Sequence, residues 1–469
     1  MLRKTFFFLT FSLLLASGLV AQVQTSHTIK VAVIVDQSVE EQFRAQGRLF
    51  LFFSEAEQGE PRRQTWPRLT NHIFAQNVDW PEGQTVYFDS ESTLDSNGDL
   101  SLIDFPDGNY RVQVLWDQNQ TASSINAPGN LYSEVLELEL REDRRLELKL
   151  NQIIPERKSI SHPLLREHNF RSDTLSKWWD KEMEVEFSVL LPRSFEEGNK
   201  RYPILYDIGG YGSRHYRAGR IIQRDSAFMA WWMSEAPEII IVFLDGEGPY
   251  GDSYQLDSDN SGPYGTSLTQ EIAPWVEEKY RAITSSQTRF LTGCSTGGWV
   301  SLALQTFYPD FFGGTYSYSP DPVSFKHMQL VNLYRDDNAF INRYGNERPS
   351  NRTTTGEPVF SIRKEVYYEN VQGSSGTYAT SGEQWGAWNA LYSPKGEDDL
   401  PALVFNPQTG AIDPEVVIHW QNYDLLRHTK NNWEELGPKL AGTVWVWMGD
   451  MDNYYLNNAL HDYADMLTE

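Results

Sequence analysis

The stretch Arg289-Phe290-Leu291-Thr292-Gly293-Cys294-Ser295-Thr296-Gly297-Gly298-Trp299 decides how this chain is read. An apolar, strand-like run enters Gly-x-Ser-x-Gly and leaves as a helix-like stretch over 298–307. A serine on such a strand-to-helix turn is held in a strained backbone conformation that exposes its hydroxyl, and the flanking glycines admit neighbouring backbone at close range. Ser295 is therefore the candidate nucleophile, and the N–H of Thr296 directly after it is one candidate donor to a developing oxyanion. The second donor should come from the loop after an earlier strand. The run 203–208 leads into Gly209-Gly210-Tyr211-Gly212, so the N–H of Tyr211 is the candidate.

Toward the C-terminus, a strand over 442–448 ends in Gly449-Asp450-Met451-Asp452-Asn453. The order Ser, acid, His expects the acid here, and Asp452, three residues after Gly449, is preferred over Asp450. The histidine is expected one helix and one strand later, beyond Glu469. His461 is the one histidine after Asp452 and lies inside a helix-like run, where a packing or surface role is expected. His419 and His215 are the histidines elsewhere that could serve.

Around these motifs, apolar runs at 185–191, 203–206, 239–244 and 289–291 alternate with helix-like stretches at 268–280 and 298–307. That rhythm predicts βα units and a mostly parallel sheet over 182–469, interrupted at about 321–438 by a polar, aromatic-bearing insertion. Residues 22–150 differ. Short apolar runs separated by turn clusters such as Asp95-Ser96-Asn97-Gly98 predict an antiparallel β-sandwich. The charged stretch 151–181, with Pro155 and Pro163, reads as a linker. Residues 1–21, with Arg3-Lys4, an apolar run and small residues to Ala21, read as a signal peptide, so export to the periplasm or beyond is expected.

Composition narrows the function classes. The 469 residues carry 40 Lys+Arg against 64 Asp+Glu, a formal charge of −24, which disfavours nucleic-acid partners because phosphate binding needs a basic face. A single cysteine excludes a disulfide scaffold and a multi-thiolate zinc site. After residue 21 no apolar run is long enough to span a bilayer. Asp95, Asn97 and Asp99 lack the full spacing of a calcium loop and read as a turn. His327, His419 and His428 show no metal spacing, so no metal is expected, and no organic cofactor. Asp257, Asp259 and Asn260 read as a solvated loop. Trp231, Trp232, Trp385 and Trp388 could stack on sugar or aromatic groups, although indoles are more often core residues.

Tyr202-Pro203-Ile204-Leu205-Tyr206, Gly262-Pro263-Tyr264-Gly265 before a helix bearing Glu271, Gly293-Cys294-Ser295-Thr296-Gly297-Gly298, and Tyr308-Pro309-Asp310-Phe311-Phe312 together resemble the Putative esterase (esterase D-like) family of α/β-hydrolases. The resemblance runs from about Glu184 to the C-terminus and leaves out the sandwich. It implies serine-dependent hydrolysis of carboxylic esters through an acyl-enzyme, on a small-molecule or glycan-linked ester, with esters of carbohydrates or of aromatic acids as the candidate substrates. Gly209 stands where the family usually has a histidine, and the insertion after Pro322 is long for it. Two other readings use the same scaffold: acyl transfer to an acceptor, and non-catalytic glycan or peptide binding.

Overall fold

Alternation along Gln46–Ser54 explains why two layers meet on this strand. Leu49, Leu51 and Phe53 point one way, Phe50 and Phe52 the other, and all five are buried. The computed structural model describes residues 26–67, 71–81 and 83–468. The proposed leader, 1–21, lies outside them.

Gln46–Ser54 is central in a seven-stranded sheet, between Gly108–Asp117 and Asn71–Asp79 and antiparallel to both. Its Leu49, Leu51 and Phe53 face a three-stranded sheet of Arg144–Leu150, Ile29–Val35 and Val86–Phe88, whose Val31 and Val33 close the core. The small sheet departs from the expected antiparallel pattern, because Arg144–Leu150 runs parallel to Ile29–Val35. A pairing between strands more than a hundred residues apart leaves no turn signal to read. Asp95 lies on a short strand paired to Ala75, and both it and Asn97 bond to neighbouring strands. Asp95 pairs with Arg48, and the Asn97 side chain accepts from the Ile73 N–H.

The second domain is built on seven strands: β1 (Leu165–Arg171), β2 (Glu184–Leu190), β3 (Ile204–Ile208), β4 (Ile240–Leu244), β5 (Arg289–Cys294), β6 (Gly314–Tyr318) and β7 (Val444–Trp447). Their spatial order is β1-β2-β4-β3-β5-β6-β7, antiparallel at the first two pairings and parallel thereafter. This is the α/β-hydrolase arrangement. All five residues of β4 are buried, as a strand covered on both faces requires. The order reverses between β3 and β5, and the crevice beyond the carboxyl ends of strands at such a point is where open α/β sheets bind ligands.

The stretch 151–181 is more ordered than a linker. It contains Gln152–Ile153, paired to the sandwich, then β1, then a helix at Asp173–Trp179. Glu167, His168 and Asn169 make β1 look polar because it is the edge strand.

Helix α1 (Thr296–Phe307) follows β5. Between β6 and β7 the insertion folds into α2 (Ile362–Gln372), α3 (Gln384–Tyr392) and further short helices, and α4 (Asn457–Thr468) follows β7. Phe50 and Phe52 pack against Tyr368 and Val371 of α2, and the Tyr368 hydroxyl donates to the Asn71 carbonyl at 2.8 Å. Ser123 of the sandwich donates through its N–H and hydroxyl to Glu247 of the second domain. Among the described residues no helix is long and apolar enough to cross a membrane.

Candidate active site

Ser295 sits at the β5–α1 turn with φ 58° and ψ −122°. A positive φ is costly for a residue with a Cβ, and it persists here because the surrounding backbone fixes it. Its N–H donates to the Tyr318 carbonyl at the end of β6, while its carbonyl accepts from Trp299 in α1 and from Asp321. The glycines supply the room. A Cβ on Gly297 would collide with the Ile208 carbonyl oxygen, so α1 can approach the end of β3 only without one. A Cβ on Gly210 would stand 3.0 Å from the Cys294 carbonyl oxygen and 3.5 Å from Ser295 Cβ, which places the Gly209–Tyr211 turn directly against the serine.

Ser295 and Tyr211 line one cleft of about 110 Å³ together with Trp66, Asp321, Trp388 and Tyr454. Trp66 comes from the sandwich, and Trp388 and Gln384 come from α3 in the insertion, so three parts of the chain meet there. A wider cleft, of about 990 Å³, lies among Phe43, Gln118 and Thr121 on the sandwich, away from Ser295.

The hydroxyl of Ser295 donates to Oδ1 of Asp321 at 3.4 Å. Asp321 is 3% exposed, and its Oδ2 accepts from the Tyr254 hydroxyl at 2.8 Å, Trp388 Nε1 at 3.2 Å, the Thr296 hydroxyl at 3.2 Å and Gln384 Nε2 at 3.3 Å. Burial pushes its carboxyl up to about 6, against the pull of these donors. Burial also raises the neighbouring Cys294 thiol.

Of the residues singled out in the sequence, Ser295, Thr296 and Tyr211 come together. Asp452 lies in the turn after β7, where its Oδ1 accepts the N–H groups of Tyr454 at 2.9 Å and Leu456 at 3.0 Å. All nine histidines are among the described residues and none lines the cleft. His461 stands 3.4 Å from Asp450 on the exposed side of α4. His419 bonds to the Tyr392 carbonyl and Asp259, and buried His215 bonds to Ser188. The Asp257–Asn260 stretch is not simply solvated, because Asn260 is buried and donates to the Ala390 and Ser393 carbonyls. Trp385 and Trp388 are both buried; their indole N–H groups serve Glu365 and Asp321.

Glu186, His215 and Asp245 present ligand atoms within 4.8 Å of one another. A cation is already built in: Arg214 Nε lies 2.8 Å from Asp245 and its Nη2 3.5 Å from Glu186.

The sequence profile of the family described as Putative esterase matches residues 180–395. The second domain belongs to that family. The esterase domain is similar in structure to FphF, a fluorophosphonate-binding serine hydrolase of Staphylococcus aureus, at 15% identity over 36% of this chain and 60% of that one, with a TM-score of 0.29. It is also similar to a ferulic acid esterase, at 19% identity over 63% and 95% with a TM-score of 0.31. A third likeness is to S-formylglutathione hydrolase from Agrobacterium tumefaciens, at 12% identity over 66% and 96% with a TM-score of 0.35. No curated protein matches the chain.

Asp321 of the esterase domain was not singled out from the sequence. Its signal is slight: Ser319-Pro320-Asp321-Pro322 follows β6, the strand beside the nucleophile strand. Nothing in the spacing of Trp66 marks it as a cleft residue.

Proposed function

We propose that this protein is an exported serine esterase that hydrolyses carboxylic esters through an acyl-enzyme. The observation that carries the reading is the φ of 58° at Ser295, on a strand-to-helix turn that opens into an aromatic cleft. Ser295 Oγ attacks the ester carbonyl. The N–H of Thr296, at the unpaired N-terminus of α1, and that of Tyr211, on the turn against Ser295, hold the oxyanion. Losing one such donor typically raises the barrier by about 3 kcal/mol. Collapse releases the alcohol, and water then releases the acid.

Trp66, Tyr211, Trp388 and Tyr454 give the cleft flat apolar walls, which suit an aromatic acyl group or a sugar ring stacked beside the ester. The leader-like pattern of residues 1–21 supports export.

The test is labelling of the full chain with a fluorophosphonate, with Ser295→Ala beside it. Wild-type protein is expected to label at Ser295 and the variant not at all. Equal labelling of both overturns the assignment.

A further inference from the structure

Gln329, in the insertion, lines the cleft that holds Ser295, and so does Glu365 of α2. Both are buried, at 1% and 4% exposure. Gln329 Nε2 donates to the Ser350 hydroxyl at 3.1 Å; that hydroxyl donates to Glu365 Oε2 at 2.6 Å, where Trp385 Nε1 also donates at 3.1 Å. The one proton of Ser350 goes to the carboxylate, so its oxygen meets Gln329 as an acceptor, and this fixes which end of the amide is the nitrogen. The other end, Gln329 Oε1, is buried with no hydrogen-bond partner among the described residues. Leaving a buried amide oxygen unpaired is costly, and in the wall of a substrate cleft the cost is recovered when a ligand supplies the donor.

The surroundings say what kind of donor. The Glu365 carboxyl lies beside Gln329, and Asp321 lines the same cleft, so the orphan oxygen shares about 110 Å³ with two carboxyl groups. Trp66, Tyr211, Trp388 and Tyr454 supply aromatic rings, whose faces attract a cation. Tyr454 ties these features together, because after burial the charges of Glu365, Asp452 and Asp321 all raise its hydroxyl. The formal charge of −24 also draws cations toward the chain. A primary ammonium has three donors and no acceptor, and it answers to the orphan oxygen, the carboxylates and the rings at once. We propose that the cleft binds a primary ammonium group on the ester substrate, with Gln329 Oε1 and Glu365 as its hydrogen-bonding partners and the aromatic rings around it. This rests on Ser295 being the nucleophile and narrows the substrates to amine-bearing esters, with the amine on the acyl part or on the alcohol.

Burial raises the Glu365 carboxyl, and an ammonium beside it favours the ionised form, so ligand binding and ionisation reinforce each other. A neutral hydroxyl could also donate to Gln329 Oε1. It would bring a lone pair next to the Glu365 carboxylate, and it gains little from the ring faces.

The experiment measures how benzylamine and benzyl alcohol, close in size and shape, slow fluorophosphonate labelling of Ser295 in the full chain at about pH 7, where an alkylamine is protonated. Benzylamine should reach half-effect at a concentration about tenfold lower than benzyl alcohol. Glu365→Gln keeps an oxygen for Ser350 and Trp385 but removes the charge, and should bring the two compounds within about twofold. Gln329→Met removes Oε1 and keeps the bulk; it should weaken benzylamine more than benzyl alcohol, and it decides the matter if Glu365→Gln does not fold. Two ester pairs locate the amine: ethyl ε-aminocaproate against ethyl heptanoate, and ω-aminohexyl acetate against heptyl acetate. The pair whose kcat/KM ratio falls in Glu365→Gln carries the ammonium on the recognised side, and intrinsic differences in ester reactivity cancel between the two enzyme forms. Benzyl alcohol protecting as well as benzylamine, a folded Glu365→Gln that keeps the wild-type preference, or a ratio unchanged in both ester pairs overturns the proposal while leaving Ser295 as nucleophile. Absence of Ser295 labelling in wild type overturns the nucleophile assignment instead, and this proposal with it.

Discussion

The ring of Trp66, carried by the sandwich, lies with its centroid 6.0 Å from that of Tyr211, which follows the turn packed against Ser295. Its other ring neighbours, Phe360 at 6.0 Å and Tyr454 at 6.3 Å, belong to the second domain, so the sandwich contributes a wall to the cleft. Trp66→Ala should remove that wall. The ratio of kcat/KM for aromatic-acyl over acetyl esters of one alcohol should fall about tenfold, the usual size of a lost apolar contact in a binding pocket. Steady-state kinetics on the two esters measures it, and an unchanged ratio would mean the acyl group does not reach Trp66.

Arg48 ties the same two domains from beneath. It is buried, and its Nε and Nη2 donate to the Val371 carbonyl of α2 at 3.2 and 2.9 Å, while Nη1 donates to Asn77 at 2.8 Å. Arg48→Met keeps the apolar stem and removes the donors, leaving a buried carbonyl without its partner. A cost of about 2–4 kcal/mol is expected. A urea unfolding midpoint no lower than that of wild type would show that the contact contributes nothing.

The strand, nucleophile turn and helix around Ser295 were legible because their signal is local: an apolar run, glycines where backbone must approach, and a helix after them. The oxyanion turn at Gly209–Tyr211 was legible for the same reason. Asp321 was not, because its place beside Ser295 arises from β5 and β6 being neighbours, 26 residues apart in sequence. Trp66 was hidden more deeply, since its neighbours depend on how two domains dock. β1 was mistaken for linker because an edge strand keeps polar residues on its open side.

Asp452 was the acid expected from spacing, and its carboxylate has a structural duty that can be set against a catalytic one. Its Oδ1 accepts the N–H groups of Tyr454 and Leu456, a duty that an amide oxygen performs equally well. A purely structural Asp452 predicts that Asp452→Asn labels within about twofold of the wild-type rate. A fall of about 10⁴ in Asp452→Asn would instead be the behaviour of a triad acid that orients a histidine.

Stability should rise as the solution is made mildly acidic. Glu369 of α2 is 3% exposed, and although it accepts the N–H groups of Trp385 and Gly386 at the start of α3, burial and the neighbouring charge of Glu365 push it up to about 8. Burial likewise pushes Asp252 up to about 7 and Asp321 up to about 6. In the unfolded chain such groups titrate near 4, so between about 4 and 8 the folded state binds more protons. Their stabilising effect is complete below the unfolded values and is lost as pH rises through about 8. Each proton taken up on folding is worth about 1.4 kcal/mol per pH unit. Histidines work the other way: His168, lowered to about 4, and His72 and His428, also lowered by burial, cost stability once the unfolded chain protonates below about 6.5. The window free of that opposition is pH 8 to 6.5. Urea unfolding across it should show the midpoint climbing as pH falls, with a shallower climb in Glu369→Gln. A midpoint that falls over this window, or a Glu369→Gln slope equal to the wild-type slope, would show that Glu369 is ionised in the folded protein.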